Sequence, residues 1–507
     1  MYACMRYPVY LRPFVLLTFA ALCFLPACSL VEDLDKIKEP DWHPEIAVAL
    51  INSRISLAEI LDKFDTGEYL TTDGTGMLTV VYEDPSVYTA TTAGMLTLPD
   101  VAFPMPDTVL FAPAPSQQGE RLDRLVLNGG SLDYAFVSPY SGLMRVQIFL
   151  PGATRDGQSF VQTLTFTGPA ARSGSLDLSG YALAFPDELM ELRYRATIIS
   201  TGETVQLDNF VLGLTGLSYA YAEGYLGRYE FALESGSMEL GFFDLWQDGG
   251  WQFQEPSLEL RIANTAGVPI RLRAGTLDAV TASGAISIVT PALYDGIPLA
   301  YPGLSEVGQT GYTTVRIDHN NSDLPAALAA RPHTFAFDFE AVAFGEEDPA
   351  QTGFITKNSA INVALTARLP LYASVADISI RDTFEMKLED VDRLSSAGFR
   401  MITENGFPLD MALQIYFLDA QYQVIDSLQS GKGIALSAAG VDATDRATTP
   451  AKDIQEVQVE NQRLDALKRA AWISYRASIA SPQGGSVPVR LYDHYELAIK
   501  LGVKAGL

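Results

Sequence analysis

No cysteine follows Cys28: all three (Cys4, Cys23, Cys28) lie within the first 28 residues of a 507-residue chain. Disulfides, cysteine-ligated metals and a thiol nucleophile are thereby excluded from everything downstream. Histidine is nearly as scarce. His43, His319, His333 and His494 stand too far apart to pair on one helix or strand, and no HExxH, phosphate-cradling glycine loop or GxSxG elbow accompanies them. Positive charge is short as well, with 35 Lys plus Arg against 61 Asp plus Glu and a net charge of −26. With no basic stripe to neutralise phosphates, nucleic acid is excluded as a partner, as is adsorption to anionic lipid through a polybasic patch. No run of 18 apolar residues follows the N-terminal region, so no helix downstream of it is expected to span a bilayer. No cofactor and no metal site is expected.

What is present begins with Phe14–Leu25, a 12-residue apolar run behind a basic segment (Arg6, Arg12). It is too short to cross a membrane and has the length of a signal-peptide core. Leu25-Pro26-Ala27-Cys28 follows at once. This tetrapeptide resembles the lipobox of bacterial lipoproteins, with Pro26 departing from the usual small or aliphatic residue. The resemblance implies a signal peptide over 1–27 and lipid attachment at Cys28, and Met5 would serve as an alternative start. An ordinary secretory signal with an incidental Cys28 is the plainer reading. Acyl chains bury about 0.8 kcal/mol per methylene, so several chains hold a protein on a membrane without a spanning helix.

Glu32 and Asp33, with Asp35 close behind, look like the acidic export signal of Bacteroidota lipoproteins destined for the outer face of the outer membrane. The resemblance implies a lipid-anchored protein of the outer membrane, displayed at the cell surface. The alternative is a solvated acidic tether over 28–44.

The body reads as mainly β. Leu78, Val80 and Tyr82 share a face, as do Leu258, Leu260 and Ile262 against Glu259 and Arg261; Phe335, Phe337 and Phe339 alternate with Ala336, Asp338 and Glu340. Phe384, Met386 and Leu388 repeat the pattern, and so do Leu497, Ile499, Leu501 and Val503. One-sided alternation predicts antiparallel sheets with one packed face, as in β-sandwiches. Two short helices interrupt them. The first starts from the S-x-x-E capping box Ser56–Glu59 and carries Leu57, Ile60, Leu61 and Phe64 on one side; the second runs from Asn461 as cap through Ala470, with Leu464, Leu467 and Ala471 inward.

A strand-turn-strand unit occurs three times, around SPYSG (Ser138–Gly142), NTAGVP (Asn264–Pro269) and ENGFP (Glu404–Pro408). The last two share Asn, Gly, a hydrophobic residue and Pro, which is turn chemistry. The spacing fits tandem β-sandwich-like domains, drawn in sequence as 45–245, 246–368 and 369–507. Phe253–Leu272 is faintly similar to the sandwich module of late-embryogenesis-abundant proteins and implies no function.

Chemistry is sparse. Asp318-His-Asn-Asn-Ser-Asp323 places oxygen side chains as a calcium loop would, yet Asp323 and Ala329 stand where that loop needs Gly and Glu, so it reads as a polar turn. Trp246 and Trp251 flank a QDGG turn near Tyr219, Tyr221, Tyr225 and Tyr229, and exposed rings of this kind stack on sugars; packing into a core competes with that role. The expected function is a non-catalytic envelope lipoprotein, a binding or assembly subunit that meets an envelope protein or glycan. The alternatives are an envelope hydrolase built from scattered Asp and Glu, and a lipid-carrying β protein.

Overall fold

The structure, a computed structural model, describes residues 45–57, 69–116, 119–231, 233, 235–245, 249–345, 350–385, 396–429, 433–460 and 462–506. The chain is mainly β, built from antiparallel sheets with a few short helices. Residues 45–56 form strand β1 (Glu45–Ser56), so Ser56 ends a strand. The chain then passes to β2 (Leu78–Thr91) and builds β3 (Val101–Pro104), β4 (Val109–Pro113), β5 (Arg121–Arg155), β6 (Gln158–Asp177), β7 (Leu189–Ile198) and β8 (Asp208–Tyr225). There follow β9 (Tyr229–Phe231), β10 (Gly236–Glu239), β11 (Ser257–Asn264), β12 (Ile270–Thr281), β13 (Gly284–Ser287), β14 (Gly311–Asp318), β15 (Thr334–Ala343), β16 (Gly353–Thr356), β17 (Ala360–Pro370) and β18 (Tyr372–Ala376). The last group is β19 (Ile378–Glu385), β20 (Ser396–Asn405), β21 (Asp410–Leu418), β22 (Val424–Ser427), β23 (Ala451–Val459), β24 (Trp472–Ala480), β25 (Val489–Arg490) and β26 (Glu496–Gly506).

Pairing sorts these strands into three sandwiches that share one topology. In the outer unit the sheets run β1-β26-β20-β23 and β19-β24-β21-β22; in the middle unit they run β2-β17-β11-β14 and β9/β10-β15-β12-β13. Numbered by order within each unit, both are 1-8-3-6 over 2-7-4-5, the strand order of a jelly roll, whose two Greek keys wrap one core. The inner unit repeats it with strands that bend. The first part of β5 pairs β8 and the second pairs β7, while β6 turns with it from one sheet to the other and β3 and β4 edge β8 and β7. The nine-stranded sheet thus folds onto itself.

The rolls are nested rather than consecutive, which corrects the boundaries at 245/246 and 368/369. The middle roll, with the inner roll inside it, lies between the first and second strands of the outer roll, and the inner roll lies between the corresponding strands of the middle one. Strand pairs therefore join distant segments: Glu45 opposes Gly506, and Tyr82 opposes Ala367.

The three strand-turn-strand units are the same corner of the three rolls, where the third strand hands over to the fourth in the facing sheet. They are not hairpins. In the middle and outer rolls the corner is organised by a fully buried Asn. Asn264 accepts the Ala266 N–H at 2.9 Å and donates to the Ala300 carbonyl, and Asn405 accepts the Phe407 N–H at 3.0 Å while donating to the Leu409 and Ser437 carbonyls at 2.8 and 2.9 Å. One side chain thus satisfies the donors and acceptors that a change of sheet leaves open. The inner corner, at Ser138–Gly142, is a bulge within β5, and the hairpin lies further on at Asp156-Gly157, both with positive φ.

Cores follow the alternation. Leu78, Val80 and Tyr82, Leu258, Leu260 and Ile262, and Phe335, Phe337 and Phe339 are all buried, the last two edge-on to Tyr88. One apolar cluster runs through the inner and middle rolls to Phe407, Tyr492 and Tyr495 of the outer roll, and a second (Phe399, Met401, Ile415, Phe417, Leu428) fills the outer roll. The helix expected from Asn461 is present as Gln462–Lys468 with Leu464 buried; Ala471 lies beyond it, just before β24. Of the first expected helix only Leu57 is described, and it is buried; residues 58–68 lie outside the described residues.

The same joint holds each roll to the next. In the middle roll the link between the seventh and eighth strands supplies β16, which pairs with the end of β8 from the inner roll. In the outer roll the equivalent link supplies β25, which pairs with β18, the continuation of the middle roll's last strand. At the first joint Phe354 stacks on Tyr221 with centroids 5.7 Å apart and Tyr225 meets Phe344 edge-on. At the second the Arg490 guanidinium lies 3.8 Å from the centre of the Tyr372 ring, and the Tyr372 hydroxyl donates to Asp445.

Candidate functional site

Cys28, Glu32, Asp33 and Trp246 lie outside the described residues. Trp251 is inside the protein, 5% exposed, stacked on Phe253 and edge-on to Phe242, in a strand (Gly250–Phe253) that pairs with β18. It has no face open to a sugar, so of the two readings core packing holds for Trp251: an aromatic pair next to a glycine turn looks the same in sequence whether the ring packs inward or outward. The four tyrosines are likewise structural. Tyr219 donates to the Thr92 carbonyl, Tyr221 and Tyr225 form the inner joint, and Tyr229 packs on Phe231. Burial raises the hydroxyl titrations of Tyr219 and Tyr221.

Asp318 accepts both the backbone N–H and the side-chain amide of Asn320, and Asn321 closes the turn by accepting the Asp318 N–H. The oxygens of this loop are already engaged: Asp318 and Asn321 serve the turn, and Asp323 accepts the Val289 N–H at 2.7 Å. His319, His333 and His494 are exposed and separate, and among the described residues no group of three His, Cys, Asp or Glu could hold a metal ion.

Two of the surface clefts among the described residues carry carboxylates. One, of about 310 Å³, sits on the outer roll between Arg54 of β1, Glu404 of β20, the Ala447–Pro450 segment and His494–Glu496. Arg54 pairs with Glu496 at 3.5 Å and Lys452 with Glu404 at 3.0 Å, and that lysine holds the Glu404 carboxyl below its ordinary range. Tyr495 underlies the cleft, accepting the Ala447 N–H at 2.7 Å. The other, of about 290 Å³, lies on the inner roll across β3, β8 and β5, lined by Asp100, Asp133, Tyr134 and Thr215 over the bare Gly213. Hydroxyls of Ser175, Thr215 and Ser131 hold the Asp133 carboxyl ionised below its ordinary range. The first cleft offers hydrogen-bonding groups and fixed charge; the second is mainly apolar, with Val101, Ala135 and Val211 beside the Asp133 carboxylate and the Thr215 hydroxyl.

Every carboxyl with a displaced titration among the described residues is displaced downward. Asp73, Asp177, Asp318 and Asp442 are held by hydrogen bonds from Thr75, Ser179, Asn320 and Thr444 in local turns, and Asp133 and Glu404 as above.

No family model matches the chain, and no curated protein matches it. Among solved structures it is similar to a protein described as secreted from Parabacteroides distasonis, at 14% identity and a TM-score of 0.33, over 55% of this chain and 82% of that one. It is also similar to the VP2 subviral particle of infectious bursal disease virus, at 10% identity and a TM-score of 0.16 over 78% and 75% of the two chains. A third likeness is to the lipid-containing bacteriophage PM2, at 8% identity and a TM-score of 0.13 over 80% and 100%.

Proposed function

We propose that the chain is a non-catalytic envelope lipoprotein, anchored through Cys28 at the outer membrane, displayed at the cell surface, and acting there as a binding or assembly subunit. The observation that carries this reading is the geometry of the two clefts: Lys452 pairs with Glu404 at 3.0 Å and Arg54 with Glu496 at 3.5 Å in one, and the Thr215 hydroxyl donates to Asp133 at 2.7 Å in the other, so these carboxylates are engaged as fixed charges of the kind that hold a ligand. The nest supports it. A tether ahead of β1 enters the outer roll, so the inner roll, joined to the rest through the middle one, is the part furthest along the chain of domains from the anchor. Loops and faces on such rigid rolls are suited to recognition.

The test is turnover. Purified mature protein should leave glycoside, ester and peptide substrates intact and co-purify in fixed ratio with an envelope component. Turnover abolished by Glu404→Gln with Glu496→Gln would replace this reading with the hydrolase.

A further inference from the structure

On a chain of net charge −26, one sheet face is basic. It is the outward face of the inner roll's sheet formed by β4, β7, the second part of β5 and the first part of β6. Alternation on β7 turns Arg193 and Arg195 outward, about 6.7 Å apart by strand rise, while Tyr194 and Ala196 are buried between and beyond them. Arg145 of β5 stands opposite Thr197 in the next row, so the three guanidiniums form a line across two strands. Arg193 is paired with Glu191. Arg145 and Arg195 are exposed, with no ion-pair or hydrogen-bond partner among the described residues.

The surroundings of the line are hydroxyls and apolar edges. Thr165 and Thr163 oppose Arg145 and Gln147, and Val161 opposes Phe149. Val109 opposes Arg193 and Phe111, 62% exposed, opposes Glu191. Residues 101–225 contain no lysine; their cations are all arginine, which grips carboxylate and sulfate through two parallel hydrogen bonds.

We propose that this face binds a strand of anionic polysaccharide, with carboxylate or sulfate groups on Arg145, Arg193 and Arg195, sugar hydroxyls on the threonines, and a sugar face against Phe111. Charge complementarity carries the choice: Arg145 and Arg195 have no carboxylate partner among the described residues, whereas on the outer roll Arg54 is paired with Glu496, Arg400 with Glu456 and Lys452 with Glu404. The footprint suits an extended chain: four strands about 4.8 Å apart and about eight residues of rise give a flat face of roughly 500 Å², along which a few sugar residues can lie. The proposal rests on the reading of the body as a binding module.

The experiment is affinity electrophoresis of the full mature body against polygalacturonate, dextran sulfate and neutral dextran. Retardation by one or both polyanions, weakening with salt, with none from neutral dextran, is expected. Arg145→Gln with Arg195→Gln should lose at least tenfold in affinity, while Arg400→Gln on the outer roll should bind as the parent does. These side chains are exposed, so folding is checked by an unchanged melting temperature. Equal retardation of parent and double variant, or retardation by neutral dextran alone, overturns the proposal. So does a parent that sediments as an oligomer and becomes monomeric in the double variant, because the face is then a contact between copies. Absence of binding to both polyanions also overturns the proposal, and leaves the non-catalytic reading standing, since turnover tests that separately.

Discussion

The ring of Phe354 occupies the space that a side chain at Gly267 would fill: a Cβ there would lie 2.0 Å from the ring, and the two residues exchange backbone hydrogen bonds of 2.9 Å each. Gly267 belongs to the corner of the middle roll and Phe354 to the strand that reaches the inner roll, so one glycine sets both a change of sheet and a joint between domains. Gly267→Ala should displace the ring and cost about 1–3 kcal/mol by overpacking. Phe354→Ala, emptying a fully buried site, should cost about 3–5 kcal/mol. In denaturant unfolding the alanine at 267 should then add little in the Phe354→Ala background, and full additivity would show that the two are independent.

The buried asparagines give a second expectation. Asn264→Ala and Asn405→Ala should each cost about 1–3 kcal/mol, because backbone groups at the corner lose their partners in the interior. Asn405→Asp should be worse than Ala, since a carboxylate would face the Leu409 and Ser437 carbonyls with no N–H to offer. Equal melting temperatures for Ala and Asp variants would contradict this account.

Acid should loosen the fold. Asp133 titrates below its ordinary value of 3.8 in the folded protein, so its stabilising share is complete above that value and is lost as pH falls through the folded one. Melting measured from about pH 5 to about pH 2 should decline, with Asp133→Asn less stable at neutral pH and less steep in acid. A slope unchanged in the variant would remove Asp133 from the cause.

Anchoring is tested at the N-terminus. Cys28→Ala should abolish acyl labelling and free the body from the membrane. Protease added to intact cells should degrade the parent, and Glu32→Ala with Asp33→Ala should protect it. Labelling that persists in Cys28→Ala, or a parent that resists protease until cells are permeabilised, would contradict the anchor and the surface address respectively.

The strands were legible because alternation is local: Phe335, Phe337 and Phe339 announce one buried face within five residues, and Leu464 marks its helix. The corners were half legible. Asn264 and Asn405 announced turns, yet whether a turn returns to its own sheet or crosses to the facing one depends on partners that lie elsewhere, such as Ala300 and Ser437. The nest was not legible at all, because the pairing of Tyr82 with Ala367 has no local signature. Trp251 stayed open between core and ligand for a related reason: side-chain chemistry gives the ring's capacity to stack, and only the packing of Phe242 and Phe253 decides what it stacks on. The arginine line was within reach, since Arg193 and Arg195 alternate on a strand pattern, but Arg145 joins them only through register.

Nesting also fixes an order in time. The first strand of the outer roll pairs with its eighth, Glu45 against Gly506, so that sheet cannot close until residues 496–506 have been made. The inner roll, whose strands all lie within 101–225, can form as soon as they are present, and the middle roll must wait for β17. Closing so long a loop is slow compared with local pairing. Maturation therefore proceeds from the inside outward, and during that interval the unpaired edge of β1 is open to whatever strand reaches it first.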